Sequence, residues 1–162
     1  MITLQFSASP DLGSKIIGFF SHGAAWSHVD AVLPDGRLLG ARHDRTGITA
    51  KCPDGFASGV QIRPADYKQF SRKRKLHLPC PQPMADRFYD FLHSQLGKPY
   101  DTRAIIGFAT GRDWRTPDSW FCSELVARGL ELSGWFPYPL ATPVDKLDPD
   151  DLYLAISARD RI

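Results

Sequence analysis

The sequence is short of three things. It has only three cysteines, Cys52, Cys80 and Cys122, in 162 residues. An odd, low count excludes the disulfide framework of small secreted domains and leaves at least one thiol to explain. It has almost no excess of charge. Its 20 basic and 18 acidic residues give a net +2, which makes no electrostatic case for nucleic acid as a partner. It also has no long hydrophobic run. A transmembrane helix needs about 18 consecutive apolar residues, and clusters such as Ile16-Ile17-Gly18-Phe19-Phe20 stop far short of that. Met1 to Ser7 lacks the basic start and apolar stretch of a secretory signal. The simplest expectation is therefore a cytoplasmic protein as synthesised, with signal-independent export as the other route.

What is present is ordinary globular composition. Hydrophobic residues are 43% and charged residues 23% of the chain, a balance that excludes whole-chain disorder. The length suits a single domain spanning 1–162 that folds around its own core.

Residues 2–7 alternate in polarity and predict a strand. Ser9-Pro10 is a helix start, with the helix expected to run to about Ser21. Ser27 to Leu33 and Arg37 to Arg42 read as two strands of a hairpin. Pro34-Asp35-Gly36 between them supplies the fixed φ and the permissive φ of a turn. His43 to Ser58 reads as a loop. Short strands are expected at Gly59–Arg63 and Lys75–Leu78. Gln82 to Leu96 has helical spacing, prolines at its start and Gly97 at its end. A short helix over Asp101–Phe108, a polar loop over Gly111–Asp118, a helix over Ser119–Ser133, a helical turn at Thr142–Leu147 and a last strand at Leu152–Ile156 complete the reading. Elements of one kind cluster instead of alternating, which predicts an α+β fold with a mainly antiparallel sheet packed against helices.

The sharpest chemistry lies in Trp120-Phe121-Cys122-Ser123-Glu124. With Ser119 as N-cap, Cys122 falls in the first helical turn, where free backbone N–H groups and the helix dipole stabilise a thiolate. The thiolate is the reactive form of a nucleophilic cysteine. The competing reading is a small buried cysteine packed on a helix. Cys52 and Cys80, both beside prolines, have no such placement and read as structural. No CxxC pair supports zinc, and no further ligands accompany His28 and Cys122, so neither metal nor cofactor is expected.

A nucleophilic thiol needs a base. Of His22, His28, His43, His77 and His93, His28 is the best placed, because a strand fixes it; the alternative is a satisfied core histidine. His77 and His93 read as surface residues, and His22 and His43 as loop residues. Arg72-Lys73-Arg74-Lys75 reads as solvated charge on a loop or edge strand, with contact to an anionic surface as the minor alternative. Glu124 reads as support for the helix dipole or a salt bridge, and Trp26 and Trp120 as cleft or core.

Three segments in order carry a resemblance. They are Trp26-Ser27-His28-Val29 on a strand, Leu96-Gly97-Lys98-Pro99-Tyr100-Asp101, and Phe121-Cys122-Ser123-Glu124-Leu125-Val126 at a helix start. Together they resemble the circularly permuted NlpC/P60 group of papain-like proteins, in which the histidine strand precedes the cysteine helix. That group includes YiiX-like and lecithin retinol acyltransferase-like proteins. The resemblance spans about Ser27 to Leu154. It implies a cysteine peptidase or amidase with Cys122 as nucleophile and His28 as base, working through an acyl-enzyme. It also implies Tyr100 as an oxyanion donor. The substrate expected is a small peptide or acyl compound, with peptidoglycan stem peptides as the natural case for a bacterial or phage protein. A lipid esterase or acyltransferase of the same fold is an alternative.

One position departs from the family pattern. Gly40 stands about where relatives carry a polar side chain that orients the histidine. Asp30, two residues from His28 on the same strand face, is the candidate substitute. If nothing orients His28, the alternative is a catalytically impaired binding or structural module, for instance a phage component.

Overall fold

The computed structural model describes residues 1–8, 25–42, 59–101 and 118–159. The helix expected from Pro10 to Ser21, the His43–Ser58 loop with Cys52, His22 and most of the Asp101–Phe108 and Gly111–Asp118 segments lie outside the described residues.

Strands β1 (Ile2–Ala8), β2 (His28–Val32), β3 (Leu38–Arg42), β4 (Gly59–Arg63) and β5 (Arg72–Leu78) form one sheet in the order β4-β3-β2-β1-β5. Every neighbouring pair is antiparallel. The expected hairpin is β2–β3, with Ala31 opposite Leu39 and Val32 opposite Leu38. Its turn closes through the Gly36 N–H to the Leu33 carbonyl at 2.9 Å.

Alternation along the strands separates two faces. Ile2, Leu4, Phe6, Val29, Ala31, Leu39, Ala41 and Val60 belong to the main apolar core. Gln5, Ser7, His28, Asp30, Arg42 and Arg63 occupy the alternate positions and are buried as well. The second face is therefore polar yet sheltered, which demands internal partners for its charges.

Helix α1 (Gln82–Ser94) starts after Pro81 and inserts Ala85, Phe88 and Leu92 at helical spacing. It packs on helix α2 (Cys122–Ser133), which in turn packs on β2 and β3. A 3-10 turn at Val144–Lys146 matches the expected helical turn. β5 is one of the two edge strands, and Arg72 to Lys75 are exposed along it, as expected of charge on a strand edge. Two of these cations also stack on aromatics: Arg72 lies 4.5 Å from the Trp26 ring and Arg74 5.7 Å from the Tyr153 ring.

The last element corrects the sequence reading. Residues 152–156 are not a strand but the middle of helix α3 (Pro149–Arg159). The pattern Leu152, Leu154, Ile156 imitates a strand, yet only Leu152 and Ile156 are buried while Leu154 is 69% exposed. The spacing i, i+4 is a helical stripe. The start signal is local: the Asp148 N–H donates to Asp151 Oδ2 at 3.3 Å and the Asp151 N–H to Asp148 Oδ1 at 2.7 Å. This reciprocal cap, with Pro149 in the first turn, outweighs the period-two pattern.

Substitution separates the two patterns. Leu152→Lys should cost roughly 3 kcal/mol or more, and Leu154→Lys should stay within about 0.5 kcal/mol. Urea unfolding of both variants checks this; equal losses would contradict the helical stripe.

Candidate functional site

The site is built where two independent pieces of the fold meet. The first is the start of β2. His28 is the first residue of the strand and sits opposite Ser7 of β1; Asp30 sits opposite Gln5. Both point to the sheltered polar face. His28 Nε2 lies 3.0 Å from Asp30 Oδ1, and the two residues are 8% and 1% exposed.

Gly40 explains how Asp30 fits. A Cβ at this β3 position would fall on the Asp30 carboxylate, far inside contact distance of Oδ1. The missing side chain on β3 is the space that the β2 carboxylate fills.

The second piece is the start of α2. Ser119 was expected as N-cap, but the cap residue is Phe121 in extended conformation, with Cys122 as the first helical residue. The thiol stays in the first turn, as expected. Glu124, read as general helix support, has a more definite part: its Oε2 accepts the Phe121 N–H at 3.4 Å. Serine or threonine is the usual cap, so a phenylalanine followed by a back-bonding glutamate is hard to read from sequence. Ser123 Oγ donates to the Leu147 carbonyl and anchors the same turn.

The segment 97–101 ties the two pieces together. The Gly97 N–H donates to the Val60 carbonyl at 3.0 Å, and the Val60 N–H to the Lys98 carbonyl at 2.9 Å. Its other side pairs with the approach to α2: the Trp120 N–H donates to the Pro99 carbonyl at 3.0 Å and the Asp101 N–H to the Trp120 carbonyl at 3.1 Å. Gly59 permits this bridge. Its φ is +135°, and a Cβ there would lie 2.6 Å from the Lys98 carbonyl oxygen. Tyr100 is thereby held beside α2, its ring 5.8 Å from that of Phe121.

His28, Asp30, Tyr100 and Cys122, the four site residues expected from the sequence, are thus gathered. Cys122 lies close enough to the His28 ring for its charge to act on it. Asp30 Oδ1 is the ion-pair partner at Nε2, and Nδ1 is the other ring nitrogen. His77 and His93 lie apart on the exposed surface, and Cys80 is half-buried against the core.

The sequence reading missed a set of residues around Asp30. Arg42 Nη1 donates to Tyr67 Oη at 2.6 Å, and its guanidinium sits 4.8 Å from the Tyr67 ring centre. Arg63, 1% exposed, donates from Nη1 to the Gly40 carbonyl and from Nη2 to the Gly59 carbonyl, each at 3.1 Å. The available signal was alternation: Gly40 and Arg42 on β3, and Gln61 and Arg63 on β4, interrupt otherwise apolar strands at every second position.

These charges set the protonation states. Burial alone pushes the His28 imidazolium down in pKa. The Asp30 carboxylate and then Cys122 outweigh it and hold His28 up at about 9. Burial likewise pushes Asp30 up, but His28, Arg63 and Arg42 outweigh it and keep the carboxyl below its ordinary range. For Tyr100, burial and then the charge of Cys122 raise the phenol well above the ordinary tyrosine value. Tyr100 is a neutral donor at physiological pH.

Among the described residues, no group of three or more His, Cys, Asp or Glu side chains is gathered to hold a metal ion. Among the same residues, no helix is long and apolar enough to cross a membrane. The chain matches no protein-family model and no curated protein.

Two measurements test the site as built. Gly40→Ala should displace the Asp30 carboxylate and lower the unfolding free energy by roughly 1–3 kcal/mol, read by urea denaturation; Leu38→Ala on the same strand gives the comparison for a simple core loss. The second is pH dependence. His28 has its pKa raised from 6.5 to about 9 in the folded state, so its contribution is complete below pH 6.5 and is lost as pH climbs toward 9. Asp30 is lowered from 3.8, so its contribution is complete above pH 3.8 and is lost on acidification below it. Relative to His28→Gln, the wild type should therefore lose up to about 3 kcal/mol of stability between pH 6.5 and 9. A pH-independent difference would contradict the charge assignment.

Proposed function

We propose that the protein is a cysteine-dependent hydrolase acting on an amide, of the papain-like kind with the permuted order, in which the histidine strand precedes the cysteine helix. The observation that carries this reading is the His28 ring, 3.0 Å from Asp30 at Nε2 and within reach of the charge of Cys122, the first residue of helix α2.

The roles follow from this chemistry. With Asp30 ionised, His28 already holds at Nδ1 the proton given up by Cys122, so the reacting pair is a thiolate beside an imidazolium. The sulfur attacks the carbonyl carbon of the substrate; a C–S bond forms and the carbonyl π electrons move to oxygen. The backbone N–H groups of the first turn of α2 and the Tyr100 hydroxyl are the donors for that oxyanion. As it collapses, the C–N bond breaks and the His28 imidazolium gives its proton to the leaving amine. A pKa held near 9 suits this acid role at neutral pH. Water activated by the neutral ring then cleaves the thioester, returning the thiol and releasing the carboxylic acid.

The proposed substrate class is a peptide amide, with peptidoglycan stem peptides first and lipid or carboxylic esters second. The rival reading, an impaired binding module, drew its motive from Gly40. That motive weakens because the Asp30 carboxylate fills the place a β3 side chain would take.

Iodoacetamide labelling at pH 7 followed by peptide mapping is the first test. Cys122 should react at least about tenfold faster than Cys80, because the thiolate is the reacting species; equal or slower reaction of Cys122 defeats the proposal. On the substrate found by screening stem peptides, other amides and esters, Cys122→Ala should abolish turnover. His28→Ala should cost about 10³-fold or more, and Asp30→Asn or Tyr100→Phe roughly 10–10³-fold.

A further inference from the structure

The cations of β5 are not equivalent. Arg72 pairs with Ala8 and Arg74 with Phe6. Both therefore lie on the apolar face, against the Trp26 and Tyr153 rings. Lys73 pairs with Ser7 and Lys75 with Gln5. Ser7 and Gln5 pair in turn with His28 and Asp30. Directly opposed residues share a face of the sheet. Two rows thus cross three strands, Lys73–Ser7–His28 and Lys75–Gln5–Asp30. With strands about 4.8 Å apart, each lysine Cα stands roughly 10 Å from that of His28 or Asp30, and a lysine stem bridges much of that gap.

Both rows hold donors that lack acceptors. Ser7 is fully buried and Gln5 is 3% exposed, yet Ser7 Oγ and Gln5 Nε2 have no hydrogen-bond partner among the described residues. Such groups are costly to bury unpaired. Lys73 and Lys75 are exposed, and neither side chain has a hydrogen bond or ion pair among the described residues. His77, the next β5 residue on this face, is already engaged: its Nδ1 lies 3.2 Å from Thr3 Oγ1. The carboxylate in the rows, Asp30, sits at the far end beside His28. Two ammonium groups, a hydroxyl and an amide NH₂ on one side of His28 are the complement of an anion with several oxygens.

We propose that Lys73 and Lys75, with Ser7 and Gln5 behind them, form a subsite for a carboxylate or phosphate group carried by the substrate, on the β1 side of His28. The inference rests on the hydrolase reading and deepens it, because it makes the substrate an anion. The exposed lysines draw the charged group in, and the row they begin leads it toward the histidine.

The test alkylates Cys122 in the full chain with three iodoacetyl reagents of similar length. N-iodoacetyl-β-alanine carries a carboxylate, N-iodoacetyl-O-phosphoethanolamine a phosphate, and N-iodoacetyl-ethanolamine no charge. Peptide mapping assigns the label, and the readout is the rate of each anionic reagent divided by that of the neutral one. That ratio cancels changes in the thiol itself. It should fall roughly fivefold or more in Lys73→Gln/Lys75→Gln at low ionic strength and return in Lys73→Arg/Lys75→Arg. Arg72→Gln/Arg74→Gln removes the same charge from the opposite face and should leave the ratio within about twofold.

A fall with one anionic reagent alone supports the subsite and names the group it takes. A fall under about twofold with both, or an equal fall in the arginine pair, overturns the proposal. Failure of the hydrolase reading looks different: the neutral reagent would label wild-type Cys122 no faster than Cys80. The ratio measured on that slower labelling would still decide the subsite.

Discussion

A carboxylate buried against a histidine is the constraint on which the rest depends. Asp30 is 1% exposed, and its cost of desolvation is met only if cations surround it. His28 lies on one side at 3.0 Å. Arg42 and Arg63 come from the next two strands on the same face. Gly40 must lack a side chain for the carboxylate to reach its place. The register of β2, β3 and β4 is therefore specified twice, once by the apolar face and once by the charged one. A slip of one residue would drive Asp30 into the apolar core and lift Leu39 and Ala41 out of it.

The cysteine arrives by a different physical route. Helix α2 is fixed by packing on α1, β2 and β3 and by contacts at its first turn: the Glu124 back-bond to Phe121 and the Ser123 bond to the Leu147 carbonyl. Gly134, with φ +81°, ends it in a left-handed cap. The strand and the helix meet through segment 97–101, which hydrogen-bonds β4 on one side and the approach to Cys122 on the other. Tyr100 lies in this bridge, so a single stretch of backbone sets both the phenol and the helix start relative to the sheet.

The parts that were legible in the sequence are those with local causes. The β2–β3 hairpin follows from Pro34-Asp35-Gly36, and α1 from its prolines and apolar spacing. Cys122 at a helix start and His28 on a strand follow from neighbouring residues alone. Asp30 was readable as a candidate because period two puts it on the face of His28. What was not legible depends on register. Gly40 looks like a loss until Asp30 is seen across from it, and no local pattern reports a cross-strand neighbour. Arg63 looks like the polar end of a short strand until its fork is seen reaching back over Gly40. Helix α3 failed for another reason. Leu152 and Ile156 satisfy both periods while Leu154 fits only the strand, and the decisive signal, the reciprocal side-chain capping of Asp148 and Asp151, precedes the pattern instead of lying within it.

The charges of the sheltered face also balance in a way that bears on proton movement. Arg42 and Arg63 are set against Asp30 and Asp101, both aspartates being 1% exposed, and Tyr100 feels Arg42 and Asp101 in opposite senses. In the proposed hydrolase the proton given up by Cys122 rests on His28, so thiolate and imidazolium carry one charge of each sign. In the proposed reaction the cost of that pair is set by local geometry: the Asp30 carboxylate at one ring nitrogen and the helix start at the sulfur. If the proposed chemistry holds, such a site stabilises its ion pair by fixed dipoles and neighbouring charges, the arrangement on which electrostatic catalysis in a buried site depends.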